Sequence, residues 1–339
     1  MTKLQSTAAF FAENYLLPAF YHIMIRNCIA CHKTVKEGGF MAYIIENAHL
    51  LKEDRLEQTS LFIKNKRFDS LRPSYKRFSH MRLDANSYIM TPPHILFNPN
   101  IPFDSSFQSM KEYYIKEFIT KGCTMFLTYA EVDKEYLLNS AIKRMKTKLL
   151  NSPIDYVIGV RIPLRLLTTS FLRKCKREKI PAIFIEIEED AELESIPWGW
   201  LREAMFPYNS PLIPIFSSDK PKNRNRARAK WVSILEQEKI PFIQDELSAG
   251  EPIEHKNLCK IGIYPVKTGI HQGGEVSYNF YSKEDFYSNM GEKGLFQHYQ
   301  EKLLVTVHKG TVVRAGDEIM FRPGFGEHVT IKTPSFYIK

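Results

Sequence analysis

The chain has 339 residues, 44% of them hydrophobic and 13% aromatic, which is enough apolar material to bury a large core and excludes a disordered polypeptide. No uninterrupted apolar run approaches the roughly 18 residues that a membrane span needs, so we expect a soluble protein with no membrane partner. The formal net charge of +9 favours polyanions at low salt, although a solvated basic face is the simpler interpretation.

The number and spacing of the cysteines indicate the redox state of the cellular compartment. Five cysteines, an odd number, are scattered at positions 28, 31, 123, 175 and 259. This usage suits a reducing compartment better than a disulfide framework, so we expect a cytoplasmic protein. Cys28-Ile-Ala-Cys31-His32 has the spacing of a haem-attachment motif, but no export signal precedes it, and we interpret the match as chance.

The first forty residues contain a segment that concerns where translation starts. Lys36-Glu-Gly-Gly-Phe40 can be encoded by a purine-rich bacterial ribosome-binding sequence at a suitable distance from the codon of Met41. We therefore expect a bacterial gene in which Met41 is the natural initiator. Residues 1–40 would then be a non-native or disordered upstream extension.

Beyond that point, strands come first and a β/α alternation follows. Residues 42–51 and 60–71 are apolar, β-branched runs that each predict one strand. From residue 106 onward, segments of helical spacing alternate with buried strands, as in a parallel α/β architecture. The predicted helices are 106–121, 134–150, 169–179, 198–204 and 227–239, and the predicted strands are 123–129, 155–162, 182–188 and 211–216.

The length of this alternating region limits its strand count. Residues 105–260 are too few for a complete eight-fold barrel, which takes about 250 residues. At roughly 30 residues for each β-α-β unit, about five strands fit. An open parallel sheet exposes two strand edges, which need a loop, a helix or a partner subunit to cover them. We therefore expect a homo-oligomer.

Several segments of the sequence match a set of known motifs. Asp84-Ala85, Tyr88-Ile89 and Thr91-Pro92 match a D-A-x-x-Y-I-x-T-P pattern. Residues 261–267 match a G-I-Y-P-x-K segment, and residues 304–313 with 321–326 match a final hairpin. Together these segments resemble the cyclic amidohydrolases of the dihydropyrimidinase, dihydroorotase and hydantoinase type, in a degenerate and shortened form.

The resemblance implies an α/β fold in two parts. Residues 92–260 would form an incomplete or abbreviated TIM-like (β/α) barrel. Residues 41–91 together with 261–339 would form a small composite β-sheet domain built from both ends of the chain. In such barrels the chemistry lies at the carboxyl ends of the strands.

The resemblance also identifies four vestigial site positions. In the family, paired histidines after the T-P motif hold the catalytic cation, and Asn98 and Asn100 stand in their place. Arg161 lies nearest the position of the carboxylated bridging lysine, and Glu186 stands where another ligand histidine would be. Carboxamides bind zinc weakly and a guanidinium repels cations, so we expect no bound metal and no catalytic residue at these positions, although zinc is the family's cofactor.

The histidine distribution supports the same expectation. Residues 95–254 contain no histidine, so the predicted barrel cannot supply the family's usual ligand set. An alternative is a rebuilt site for magnesium, calcium or manganese, made from carboxylates near strand ends. Its candidates are His94, Glu131, Asp133, Glu186, Glu188 and Glu189.

The densest basic run is Lys220-Pro-Lys-Asn-Arg-Asn-Arg-Ala-Arg-Ala-Lys230. Its possible phosphate-contacting residues are Lys222, Arg224, Arg226, Arg228 and Lys230. No aromatic residues are interleaved for base stacking, so a solvated surface loop and helix start is favoured over a nucleic-acid patch.

Three functions are compatible with these patterns. The first is a pseudoenzyme that keeps the amidohydrolase scaffold, has lost metal-dependent hydrolysis, and binds an unidentified small molecule or protein. The second is a hydrolase of C–N bonds in cyclic amides with a rearranged metal site. The third is a basic interaction module that uses the run at 220–230. We favour the first.

Overall fold

The computed structural model describes residues 42–52, 55–188, 191–217, 220–284 and 291–335. The predictions for residues 1–40, including the haem-type motif, lie outside the described residues. The chain divides into two compact units. The β unit takes residues up to Pro93, Ile115–Gly122 and Gly269–Phe321, and the half-barrel unit takes His94–Tyr114, Cys123–Thr268 and residues from Arg322 onward.

The regular elements are numbered here in chain order. The strands are β1 (Ala42–Lys52), β2 (Arg55–Lys64), β3 (Arg67–Arg72), β4 (Met81–Asp84), β5 (Tyr88–Thr91), β6 (His94–Phe97), β7 (Cys123–Glu131), β8 (Asp155–Pro163), β9 (Ile183–Ile187), β10 (Leu212–Phe216), β11 (Tyr278–Ser282), β12 (Leu303–His308), β13 (Thr311–Ala315) and β14 (Glu318–Ile319). The α-helices are α1 (Phe107–Glu117), α2 (Leu138–Lys148), α3 (Thr169–Arg177), α4 (Trp198–Met205), α5 (Pro221–Gln237), α6 (His255–Ile261), α7 (Glu292–Gln297) and α8 (Tyr299–Lys302). Short 3-10 helices include Ile119–Lys121 and Glu135–Leu137. No helix in the described part of the chain is both long and apolar enough to span a bilayer.

The β unit contains one nine-stranded sheet in the order β14-β13-β12-β11-β5-β1-β2-β3, with β4 paired to β1. Strands from both ends of the chain meet where β11 pairs antiparallel with β5. Alternate residues of these strands fill one apolar core, including Ile45, Leu61, Phe68 and Phe280, all fully or almost fully buried. The sheet is therefore built from strands of both ends of the described chain.

One strand prediction was wrong. Residues 60–71 were expected to form a single strand, but the chain turns at Asn65 and Lys66, which have φ angles of 54° and 57°. Two left-handed residues in a two-residue turn match the twist of the flanking strands, so β2 and β3 form a hairpin. The apolar pattern continues on both sides of the turn, and no glycine marks it, which is why the sequence concealed it.

The half-barrel unit is built on a five-stranded parallel sheet in the order β10-β9-β8-β7-β6. This confirms the expected number of parallel strands. Phe97 of β6 stacks on Phe184 of β9 at a centroid distance of 5.1 Å, although two strands lie between β6 and β9. This contact shows that the sheet curls. Phe97, Leu127, Val157, Phe184 and Ile213 therefore share a concave, apolar face.

The predicted helices and strands of this region agree with the structure to within a few residues, with one exception. Helix α5 begins at Pro221 instead of residue 227. Proline is favoured in the first helical turn, where its missing N–H is not needed. The basic run is therefore part of the helix itself and not a loop before it.

Both edges of the parallel sheet are covered by one stretch of the same chain, residues 241–253. At one edge, the Leu212 N–H donates to the Pro241 carbonyl, and the Ile243 N–H donates to the Leu212 carbonyl. At the other, the Ile253 N–H donates to the Ile95 carbonyl at 2.8 Å, and the Gly250 N–H donates to the Phe97 carbonyl. The edges thus give no reason to expect a partner subunit, and a homo-oligomer stays a prediction.

Candidate functional site

The carboxyl ends of β7, β8 and β9 bring a charged cluster together. The alternation that places Leu127, Val157 and Phe184 on the concave face also places Tyr129, Arg161 and Glu186 there, nearer the carboxyl end of each strand. Arg161 Nε donates to Glu186 Oε1 at 2.6 Å. Arg161 Nη1 donates to Glu131 Oε1 at 3.0 Å and to the Tyr129 hydroxyl at 3.3 Å.

Arg161 is the centre of this cluster. Partial burial lowers the pKa of its guanidinium, but Tyr129 and Glu186 outweigh the burial, so the pKa is raised above its ordinary value. The guanidinium also lies over the Tyr129 ring, 5.6 Å from its centroid. Arg161 is therefore a permanent cation held by two carboxylates and an aromatic face.

An aromatic layer lies next to this cluster on the concave face. Phe97 stacks on Phe184 with an interplanar angle of 16°, and Tyr129 packs against both rings at 6.0 and 5.1 Å. Phe97 and Phe184 are buried. The sequence predictions did not single out Phe97 or Tyr129, although their even spacing from other inward residues of the same strands would have identified their face.

Asn98 and Asn100 have different surroundings. Asn98 Nδ2 lies 2.8 Å from the hydroxyl of Tyr113 on α1, and Asn98 Oδ1 accepts the Asn100 N–H at 3.0 Å. Asn98 is buried and Asn100 is exposed. Among the described residues, no hydrogen bond or ion pair joins either asparagine to Arg161 or Glu186. The structure thus brings together two of the four positions that the sequence predicted to be vestigial, Arg161 and Glu186.

The other proposed ligands are dispersed. His94 is at the amino end of β6, about 10 Å of strand away from the carboxyl end, and burial lowers its pKa to about 4. Asp133 and Glu188 are exposed, and Glu189 lies outside the described residues. The Cys123 thiol is buried and donates to the Met125 carbonyl, as expected for a structural cysteine.

Ion pairs neutralise part of the basic run on α5. Arg224 pairs with Glu246, Arg228 pairs with Asp245, and Lys230 Nζ lies 3.2 Å from Glu194 Oε1. Glu246 also accepts the Phe216 N–H. These contacts support the interpretation of the run as a solvated helix face. Lys222 and Arg226 are the other two of its five candidate phosphate-contacting residues.

A buried ion pair that the sequence did not reveal stabilises the amino end of β8. Asp155 is 1% exposed, and its carboxylate accepts from Lys267 Nζ at 3.0 Å and from the Glu327 N–H at 2.9 Å. Lys267 is the lysine of the segment that matched G-I-Y-P-x-K. Its contacts with Asp155 and Glu327 give that lysine a structural role within the half-barrel unit.

Neither a family model nor a curated protein matches this sequence. Solved structures do match its fold. A D-hydantoinase from Bacillus sp. AR9 superposes with a TM-score of 0.62 and 11% identity, over 86% of this chain and 99% of that one. An L-hydantoinase (dihydropyrimidinase) from Arthrobacter aurescens gives 0.59 and 11% over 85% and 99%, and a dihydropyrimidinase from Brevibacillus agri NCHU1002 gives 0.54 and 12% over 86% and 99%.

The chain has the hydantoinase fold. The expected resemblance to the cyclic amidohydrolases is thereby confirmed for the architecture, which combines a curled parallel sheet with a separate β unit. At 11–13% identity, the likeness to hydantoinases extends to the fold and carries no residue roles.

Proposed function

We propose that the protein is a binding or regulatory scaffold with a hydantoinase fold that no longer performs metal-dependent hydrolysis. One observation carries the proposal: the guanidinium of Arg161 is bound by Glu186 and Glu131 at the carboxyl end of the parallel sheet. This is the end where barrel enzymes place their chemistry.

The donor set at these positions does not fit zinc. Structural and catalytic zinc sites use imidazole, thiolate and carboxylate donors. Here the Glu186 carboxylate accepts a hydrogen bond from the Arg161 guanidinium, and Asn98 supplies a carboxamide engaged with Tyr113. A divalent cation beside Arg161 would meet a like charge that cannot be removed by deprotonation.

The proposal includes the expectation of no metal cofactor and of a small molecule or protein as ligand. The competing function is a hydrolase of cyclic C–N bonds in which Glu131, Glu186 and Glu188 hold a harder cation such as magnesium or manganese. That alternative would require Arg161 to leave its two carboxylates.

Metal content and turnover, measured together, test the proposal. Purified protein is dialysed against zinc or manganese, analysed for bound metal, and assayed with hydantoin, dihydrouracil and dihydroorotate. We expect substoichiometric metal and no turnover above buffer. Glu186→Gln is the matched control, because activity from a contaminating hydrolase would persist in it. One metal per chain together with turnover that Glu186→Gln abolishes would overturn the proposal.

A further inference from the structure

A second basic segment, besides the run on α5, lies in the β unit. Residues 64–82 contain seven lysines and arginines and one acidic residue, Asp69. Their local charge of +6 compares with +9 for the whole chain. Unlike the α5 run, this segment has interleaved aromatic residues, Phe68, Tyr75 and Phe78.

Part of this segment forms an open cleft of about 500 Å³. It is lined by Lys76, Arg77, Phe78, Ser79, His80 and Arg82, and we call it the cationic cleft. Its volume is in the range of ligand-binding clefts. The Phe78 N–H donates to the Tyr75 carbonyl at 3.0 Å, which makes residues 75–78 a turn with Lys76 and Arg77 at its centre.

Arg82 holds the wall of the cationic cleft in place. Its Nη2 donates to the carbonyls of Tyr75 at 2.9 Å and Phe78 at 2.8 Å, and its Nη1 pairs with Glu46. The charge of Arg82 is therefore balanced, and its role is to fix the turn. Lys76 and Arg77 are exposed and make no ion pair with any described residue, so both cations face solvent from a fixed backbone.

The aromatic side of the cleft is also held. Phe62 stacks on the His80 ring at 5.1 Å and contacts Phe78 at 5.4 Å, while Tyr75 meets Phe78 edge-on at 5.3 Å. Phe78 is nevertheless 37% exposed. A partly exposed ring that its neighbours hold in place is a platform on which a flat ligand can stack.

We infer that the cationic cleft binds single-stranded nucleic acid, with phosphates at Lys76 and Arg77 and a base stacked on Phe78. Charged grooves with exposed aromatic rings are the general means of binding single strands. Lys64 and Arg67 pair at the turn of the β2–β3 hairpin and Arg72 lies at its other end, so the cations are spread along the hairpin, which fits a polymer of repeating charge better than a single phosphate. This function is separate from the one proposed for the half-barrel unit.

Fluorescence anisotropy with labelled dT12, rU12 and a 12-base-pair duplex tests the inference on the full-length protein. We expect binding of at least one single strand at 50 mM salt, with affinity that falls steeply by 200 mM because counterions are released. We expect Lys76→Gln/Arg77→Gln to weaken binding at least tenfold and Phe78→Leu to weaken it at least fivefold. All three changes are at exposed positions, and circular dichroism checks that the fold is retained.

The matched control is Lys222→Gln/Arg226→Gln on α5, which removes the same charge from exposed positions. It should change affinity less than twofold. Comparison of dT12 with rU12 tells whether DNA or RNA is preferred, and tight binding of either supports the inference. No binding of either strand, an equal loss in the control pair, a duplex bound as tightly as the single strands, or unchanged affinity in Phe78→Leu would each overturn it.

Discussion

Arg161 and Glu186 lie on neighbouring parallel strands, with Arg161 Nε 2.6 Å from Glu186 Oε1. The strand register pairs Arg161 with Phe184 and Pro163 with Glu186, so the two charged side chains meet diagonally on the concave face. Each is about one-third exposed. The contact is thus a partly buried ion pair, whose strength depends on the geometry of both strands.

The coupling between these two side chains is measurable by a double-mutant cycle. We expect Arg161→Met and Glu186→Gln to couple by about 1 kcal/mol in the free energy of unfolding, because solvent screens a pair of this exposure. Urea denaturation of the two single variants and the double variant gives the value. Arg228→Gln with Asp245→Asn, a more exposed pair, should show weaker coupling. No coupling in the Arg161 cycle would contradict the paired geometry.

Histidines introduced at the two asparagine positions should not create a zinc site. We expect Asn98→His/Asn100→His to bind zinc substoichiometrically, because Asn98 contacts Tyr113 of α1 while its neighbour Phe97 occupies the concave face. Dialysis against zinc followed by elemental analysis checks this, with the unchanged protein treated in parallel. One equivalent of zinc specific to the double variant would show that both positions can reach a common ligand.

His94 should make stability depend on pH. Burial lowers its pKa from 6.5 to about 4, so the unfolded state binds a proton more readily than the folded state between these values. Stability from the neutral imidazole is present above pH 6.5 and is lost as the pH falls towards 4, by on the order of 3 kcal/mol. Urea unfolding at several pH values should show a flatter dependence for His94→Gln. Parallel curves would exclude His94 as the titrating group.

Gly122 is expected to tolerate no side chain. Its φ angle is +71°, and an added Cβ would lie 2.7 Å from Asn279 Nδ2 and 2.9 Å from Leu303. Gly122→Ala should cost about 2–3 kcal/mol, from left-handed strain together with displacement of the buried Asn279, which donates to the Gly122 carbonyl. Gly316→Ala is the control, since its φ is +57° but nothing lies near its Cβ position, so only about 1 kcal/mol should be lost. Equal losses in thermal unfolding would leave strain alone as the cause.

Much of the half-barrel could be predicted because local patterns determine it. The continuous apolar runs of β7 and β8 and the amphipathic spacing of α1 mark their own ends. The hairpin at Asn65 and residues 241–253 could not be predicted in this way. The first has no glycine signal, and the second has little regular structure and depends on hydrogen bonds to strands distant in sequence.

The site was only partly predictable. The resemblance identified Arg161 and Glu186 as residues at the positions of the family's metal ligands. Their contact, however, depends on the register between β8 and β9, which the sequence does not specify. The basic run on α5 shows that a conspicuous sequence feature can also mislead. It is conspicuous in sequence, yet Glu246 and Asp245 come from a later segment to neutralise it, whereas Lys76 and Arg77 are less conspicuous and make no described ion pair.

The stretch 241–253 has a consequence for the design of shortened barrels. A barrel of eight β/α repeats that lacked three of them would have two unpaired strand edges. Each unpaired edge is a template for aggregation. Here thirteen residues make backbone hydrogen bonds to both edge strands, so neither edge of this sheet is bare. Shortening a barrel of this kind therefore calls for one segment that reaches from one edge strand to the other and bonds to both.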